Sequence, residues 1–159
     1  MIARIHGKLL TRSPEYIVVD IQGLGFKVRM PLSLYDQLPA EGADVTLQTY
    51  TYVKEDAIEL YGFFDASEVA LFTMLIGVSG IGPKLACVVL SAFTVSEFQS
   101  AILAEEDSRL TKIPGIGKKL AGRLVLELKD KIGSISLPAR FAEADRRPGS
   151  PSDHAGDAI

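Results

Sequence analysis

The chain is 159 residues long, 47% hydrophobic and 23% charged, with a formal net charge of −3. Its length allows one ordinary domain or two small ones, and its acidic balance excludes a uniformly basic surface that coats nucleic acid by charge alone. The single cysteine, Cys87, excludes an internal disulfide and a cysteine-built metal site.

Cys87 lies in the apolar run 85–90, where a small buried hydrophobe is the plain reading and a reducing compartment fits. No apolar signal core follows Met1 and no stretch is long enough to span a bilayer, so a cytoplasmic location without membrane attachment is expected. The charge is uneven. Residues 1–62 carry six Lys/Arg against eight Asp/Glu, whereas 112–131 carry six basic residues against only Glu127 and Asp130. An acidic half joined to a basic helical segment can still meet a polyanion through one face.

An α+β chain in three segments is expected. Residues 1–63 read as an OB-type β-barrel: runs at 2–10, 16–21, 26–30, 45–53 and 58–63 are rich in Ile, Val, Tyr and Phe. Ser13-Pro14, Gly23-Leu24-Gly25, Pro39-Ala40-Glu41-Gly42 and Lys54-Glu55-Asp56 separate them, and 31–38 fits a short helix before the fourth strand. Five strands in so short a segment should leave edges or apolar surface for a neighbour to cover. Residues 64–133 read as all-helical, with a first helix capped by Asp65 or Ser67 and others at 84–92, 96–104, 108–112 and 118–132. Residues 134–159 hold Arg146-Arg147-Pro148-Gly149-Ser150-Pro151, a composition that cannot repay its ordering entropy and reads as a flexible linker.

The most informative feature is a repeat at an offset of 35 residues, where Gly80-Ile81-Gly82-Pro83-Lys84-Leu85-Ala86 matches Gly115-Ile116-Gly117-Lys118-Lys119-Leu120-Ala121. Leu75 matches Leu110, Val78 matches Ile113 and Val89 matches Leu124. In each copy two glycines permit a sharp turn and close approach by another chain. The helix that follows points its unpaired N–H groups and positive dipole end at the turn, and a lysine adds a full charge. Each unit can grip a phosphate without reading a base, and a tandem pair can hold both strands across a minor groove. The plain alternative is a pair of tight helix connections. A nucleotide P-loop is excluded because Pro83 stands where the Lys is needed after Gly77 and Gly82, and no Ser/Thr follows it. A dinucleotide fingerprint lacks its third glycine and its β-α-β setting.

Across nearly its whole length the chain resembles the RuvA family, the Holliday-junction-recognition subunits of branch-migration complexes. The resemblance rests on Met1-Ile2-Ala3-Arg4-Ile5-His6-Gly7, on Glu55-Asp56-Ala57 followed by Leu60-Tyr61-Gly62-Phe63, and on both glycine turns. It continues through Arg123-Leu124-Val125-Leu126-Glu127-Leu128-Lys129-Asp130. It implies a homotetramer, with an octamer as a further form, holding an open four-way DNA junction on a concave face for recombination and repair. On the matching positions Gly80, Gly82, Gly115 and Gly117 supply backbone contacts to phosphates, and Lys84, Lys118, Lys119 and Arg123 supply cationic ones. Glu55 and Asp56 form an acidic pin at the centre. Lys54 stands where relatives often carry Arg, keeping the charge but not the bidentate fork. Relatives carry a third helical domain that contacts a RuvB-type hexameric ATPase. The sequence stops at Ile159 without one, so junction binding is expected without motor stimulation.

No catalysis, cofactor or metal is expected. Glu55-Asp56 has no third ligand nearby for metal-assisted chemistry, and a hairpin tip also favours acidic residues as mere solvated turn formers. Tyr50, Tyr52 and Tyr61 fit packing better than base stacking, and Lys129 and Lys131 fit helix-dipole partners. Two other functions stay open on the residues alone. One is a general duplex-binding module. The other is a DNA glycosylase, for which Asp130 is the only candidate catalytic group.

Overall fold

In the computed structural model, which describes residues 1–137, alternation in the first segment closes a barrel. Its strands are β1 (Arg4–Arg12), β2 (Ile17–Ile21), β3 (Leu24–Arg29), β4 (Asp44–Val53) and β5 (Ile58–Phe63), with a one-turn helix α1 (Leu32–Tyr35) between β3 and β4. The order around the barrel is β1-β2-β3-β5-β4, with β1 pairing β4. Every neighbouring pair is antiparallel except β3 and β5, which pair in parallel through Val28↔Leu60 and Arg29↔Tyr61. Period-two alternation sends Ile5, Leu9, Ile17, Val19, Val28, Val45, Leu47 and Leu60 inward to one core. Closure removes the free edges expected for this segment, because β4 is long enough to pair β1 through residues 44–48 and β5 through 48–53. One expected turn also moves. Gln22 and Gly23 turn the β2–β3 hairpin with φ of 51° and 92°, and Leu24, read as loop, already pairs with Ile21.

The helices follow as α2 (Ala66–Ile76), α3 (Pro83–Ala92), α4 (Val95–Leu103), α5 (Asp107–Leu110) and α6 (Lys118–Leu128). Asp65 is the N-cap of α2, and its N–H donates to the Glu68 carboxylate at 2.9 Å. Thr94 caps α4, its hydroxyl accepting from Glu97 N–H at 3.1 Å. The last helix is shorter than expected: α6 ends at Leu128, and Ile132–Ser134 forms a separate 3-10 turn that buries Ile132. The linker expected from residue 134 starts later: Ser134 closes the 3-10 turn and Ile135 is buried in the helical core, and beyond Leu137 the expected linker lies outside the described residues.

One aromatic cluster fixes the helices against the barrel. Phe72 of α2 is fully buried, with its ring 5.3 Å from Tyr50, 5.1 Å from Tyr61 and 5.1 Å from Phe63. Tyr52 completes it, 6.4 Å edge-on to Tyr61. The tyrosines therefore pack as expected, and pairs of this kind add about 0.5–1.5 kcal/mol each beyond area burial. Leu32 N–H donates to Ser91 Oγ at 2.9 Å and Ser33 Oγ to the Leu90 carbonyl at 3.1 Å, tying α1 to α3. No single helix among the described residues is long and apolar enough to cross a membrane, and the apolar pair α3–α4 is bent by 94°.

Candidate nucleic-acid interface

The two copies of the repeat fold into two turns with the same backbone. Gly80 and Gly115 have φ of +93° and +90°, the left-handed region that glycine alone enters freely. Gly82 and Gly117 are the N-caps of α3 and α6, with φ −92°, ψ 178° and φ −91°, ψ −178°. Ile81 N–H donates to the Val78 carbonyl at 3.0 Å, and Ile116 N–H to Ile113 at 3.1 Å. Both isoleucines are 4% exposed, which anchors each turn to the helical core.

The turns pack against each other reciprocally. A Cβ on Gly80 would lie 3.5 Å from Leu120 Cδ1, and one on Gly115 would lie 3.0 Å from Leu85 Cδ1. Each left-handed glycine thus packs on the leucine from the other copy's helix. Leu85 and Leu120 were not singled out as site residues from sequence, although they occupy equivalent places in the repeat. Gly82 and Gly117 behave differently. Nothing lies within 4 Å of a Cβ built on either, and any residue adopts their backbone. Neither steric room nor backbone angle demands glycine at these two positions.

Lys84, Lys118, Lys119 and Arg123 are all exposed on the first two turns of α3 and α6. Arg123 reaches back to the first copy: its Nη1 donates to the Ser79 carbonyl at 3.3 Å, and its Nε lies 4.0 Å from Glu127. Lys129, read as a dipole partner, is the C-cap of α6 and pairs with Glu105 at 2.9 Å.

Glu55 and Asp56 form the exposed tip of the β4–β5 hairpin, which closes with Lys54 N–H donating to the Ala57 carbonyl at 2.8 Å above the pair Val53↔Ile58. Sequence reasoning missed the network at the base of this hairpin. The Tyr61 hydroxyl donates to Glu59 at 2.9 Å and Lys54 Nζ lies 3.6 Å from the same carboxylate. These contacts, the Tyr61 hydrogen bond foremost, hold the Glu59 carboxyl below its ordinary range, while burial pushes the Tyr61 phenol up. Burial likewise pushes the partly buried Cys87 thiol up to about 12, so it stays a neutral packing group. A cavity of about 360 Å³ lined by Ser33, Ser67, Ser91 and Thr94 lies by the C-terminal end of α3, the end away from the Gly82 turn. It belongs to no part of this interface.

A closed OB-type barrel carrying two pseudo-symmetric glycine turns with exposed basic helix starts defines the class of barrel-linked tandem helix-hairpin-helix proteins. The comparisons agree with that class: residues 1–62 match the RuvA N-terminal domain and residues 72–130 match the SAM-like helix-hairpin-helix tandem. A Holliday junction branch migration complex subunit RuvA from Geobacter sp. (strain M21) is 53% identical over 137 residues, covering 86% of this chain and 69% of the relative. The subunit of the same name from Thioalkalivibrio sulfidiphilus is 42% identical over 159 residues, covering 100% of this chain and 78% of the relative. That from Actinobacillus pleuropneumoniae serotype 5b is 41% identical over 165 residues, covering 100% and 82%. The chain belongs to the RuvA family.

Proposed function

We propose that this chain is a non-catalytic DNA-binding subunit that recognises four-way junctions for branch migration in recombination and repair. The relatives are named as Holliday junction branch migration complex subunits, and one observation in this chain supports the reading most. Gly82 and Gly117 leave bare backbone at two helix starts where neither space nor backbone angle requires glycine. Glycine there favours close approach by a second chain, and a helix start offers that chain N–H groups and a positive dipole end.

In this reading Gly80, Gly82, Gly115 and Gly117 present backbone to phosphates, with Lys84, Lys118, Lys119 and Arg123 as the opposing charges. Because these groups meet backbone rather than base edges, binding is indifferent to sequence. Glu55 and Asp56 act as a pin that repels phosphate, so continuous duplex laid across the centre is penalised while an open junction leaves a gap there. Four equivalent subunits suit a four-armed ligand, which makes a homotetramer the working assembly. The complex operates in the cytoplasm, where a RuvB-type hexameric ATPase is the motor partner of the full-length family.

Competition between a synthetic four-way junction and linear duplex of the same sequence tests the reading, with mass in solution measured alongside. The junction should win by a wide margin, independent of arm sequence, on a species of four chains. Equal competition would leave only a general duplex-binding module.

A further inference from the structure

The two turns share a backbone but differ in chemistry. At the first helical position the first copy has Pro83 and the second has Lys118. Proline has no N–H, so the first helix start offers one backbone donor fewer as well as one charge fewer. Residues 80–92 hold Lys84 as their only ionisable side chain apart from Cys87, whereas 115–127 hold Lys118, Lys119 and Arg123 against Glu127. The backbone angles that flank the difference agree within a few degrees, so geometry does not compensate. A hydrogen bond across the copies also runs one way. Arg123 of α6 braces the first turn through the Ser79 carbonyl, while the matching position of α3 is Val88, which cannot return the bond.

We propose that the two turns hold the two strands of a duplex arm unequally, the 115–117 turn as anchor and the 80–82 turn as the yielding hold. This rests on reading the turns as a phosphate interface and adds a polarity to it. In a machine that must pass duplex along its surface, the weaker hold releases first and the anchored strand keeps the register. Besides its charge on the anchor, Arg123 fixes where the weaker turn stands through its bond to Ser79.

The test uses the full chain and synthetic four-way junctions in which uncharged methylphosphonate linkages replace phosphates near the centre, on the strand of one polarity or on the other. Neutralising the anchored strand should weaken binding roughly tenfold more than neutralising its partner, and should flatten the salt dependence further, each lost ionic contact removing about 0.9 from the log–log slope. Exchanging the two first-turn residues, Pro83→Lys with Lys118→Pro, should invert that order. Both variants are compatible with folding, because Pro83 already shows that the first helical position accepts proline after an extended glycine, and a denaturation midpoint checks it. Equal losses for the two strands in the natural chain, or an order unchanged by the exchange, would overturn the inequality while leaving the interface. No loss from either strand would overturn both.

Discussion

Alanine at the four glycines of the turns should separate folding from binding. At Gly80 and Gly115 the backbone lies at φ of +93° and +90°, where an L-residue costs roughly 1–2 kcal/mol. At Gly115 the new methyl also comes within 3.0 Å of Leu85 Cδ1, closer than ordinary contact, so that leucine must give way. Gly80→Ala should therefore destabilise by about 1–2 kcal/mol and Gly115→Ala by somewhat more. Gly82→Ala and Gly117→Ala meet open space in extended backbone. Because glycine is preferred to alanine at an N-cap, each should cost no more than about 1 kcal/mol, less than Gly115→Ala. Yet a methyl there stands between the helix start and an approaching phosphate. The Gly82→Ala, Gly117→Ala double variant should lose at least about tenfold in junction affinity, which corresponds to about 1.4 kcal/mol. Urea denaturation and fluorescence anisotropy on a labelled junction measure the two quantities separately. If the double variant binds the junction at full strength, or either single variant unfolds as readily as Gly115→Ala, the reasoning about bare backbone is wrong.

Three further outcomes are expected. Glu55→Gln with Asp56→Asn should raise affinity for linear duplex more than for junction, measured by the same competition, without altering assembly; loss of junction binding with unchanged duplex binding would make the tip structural. Phe72→Ala should cost about 3–5 kcal/mol in urea denaturation, because it empties the site where α2 meets β4 and β5. Glu59 has a depressed pKa in the folded state, so its stabilising contribution is present above the ordinary carboxylate value and lost as pH falls through the folded one. Tyr61→Phe removes the leading cause of that depression. The melting temperature of this variant should fall less steeply through the acid range than that of the natural chain.

The strand runs, the glycine repeat and the tip were legible in the sequence because each is written in local chemistry. Alternating Ile, Val and Tyr fix a strand and its inward face, and Gly-Ile-Gly before a basic helix start fixes a turn. Boundaries shifted where local signals were weak or competed. Gly25 drew the turn too far along because the Gln22 contribution, a positive φ on a non-glycine residue, has no compositional mark. The run 118–132 kept helical periodicity past Leu128, but Ile132 is buried through a 3-10 turn instead.

What only the tertiary structure decided involves residues distant in sequence. The parallel pairing of Val28 with Leu60 and Arg29 with Tyr61 closes the barrel, and no periodicity within β3 or β5 records it. The alternating tyrosines could have faced solvent or core, and the arrival of Phe72 from α2 settles which. The repeat showed that two turns exist, not that Gly80 packs on Leu120 and Gly115 on Leu85, nor that Arg123 crosses to Ser79. Those contacts set the spacing between the two helix starts. A sequence specifies short-range backbone preference directly, whereas distances between segments emerge only when their apolar faces compete for the same buried volume.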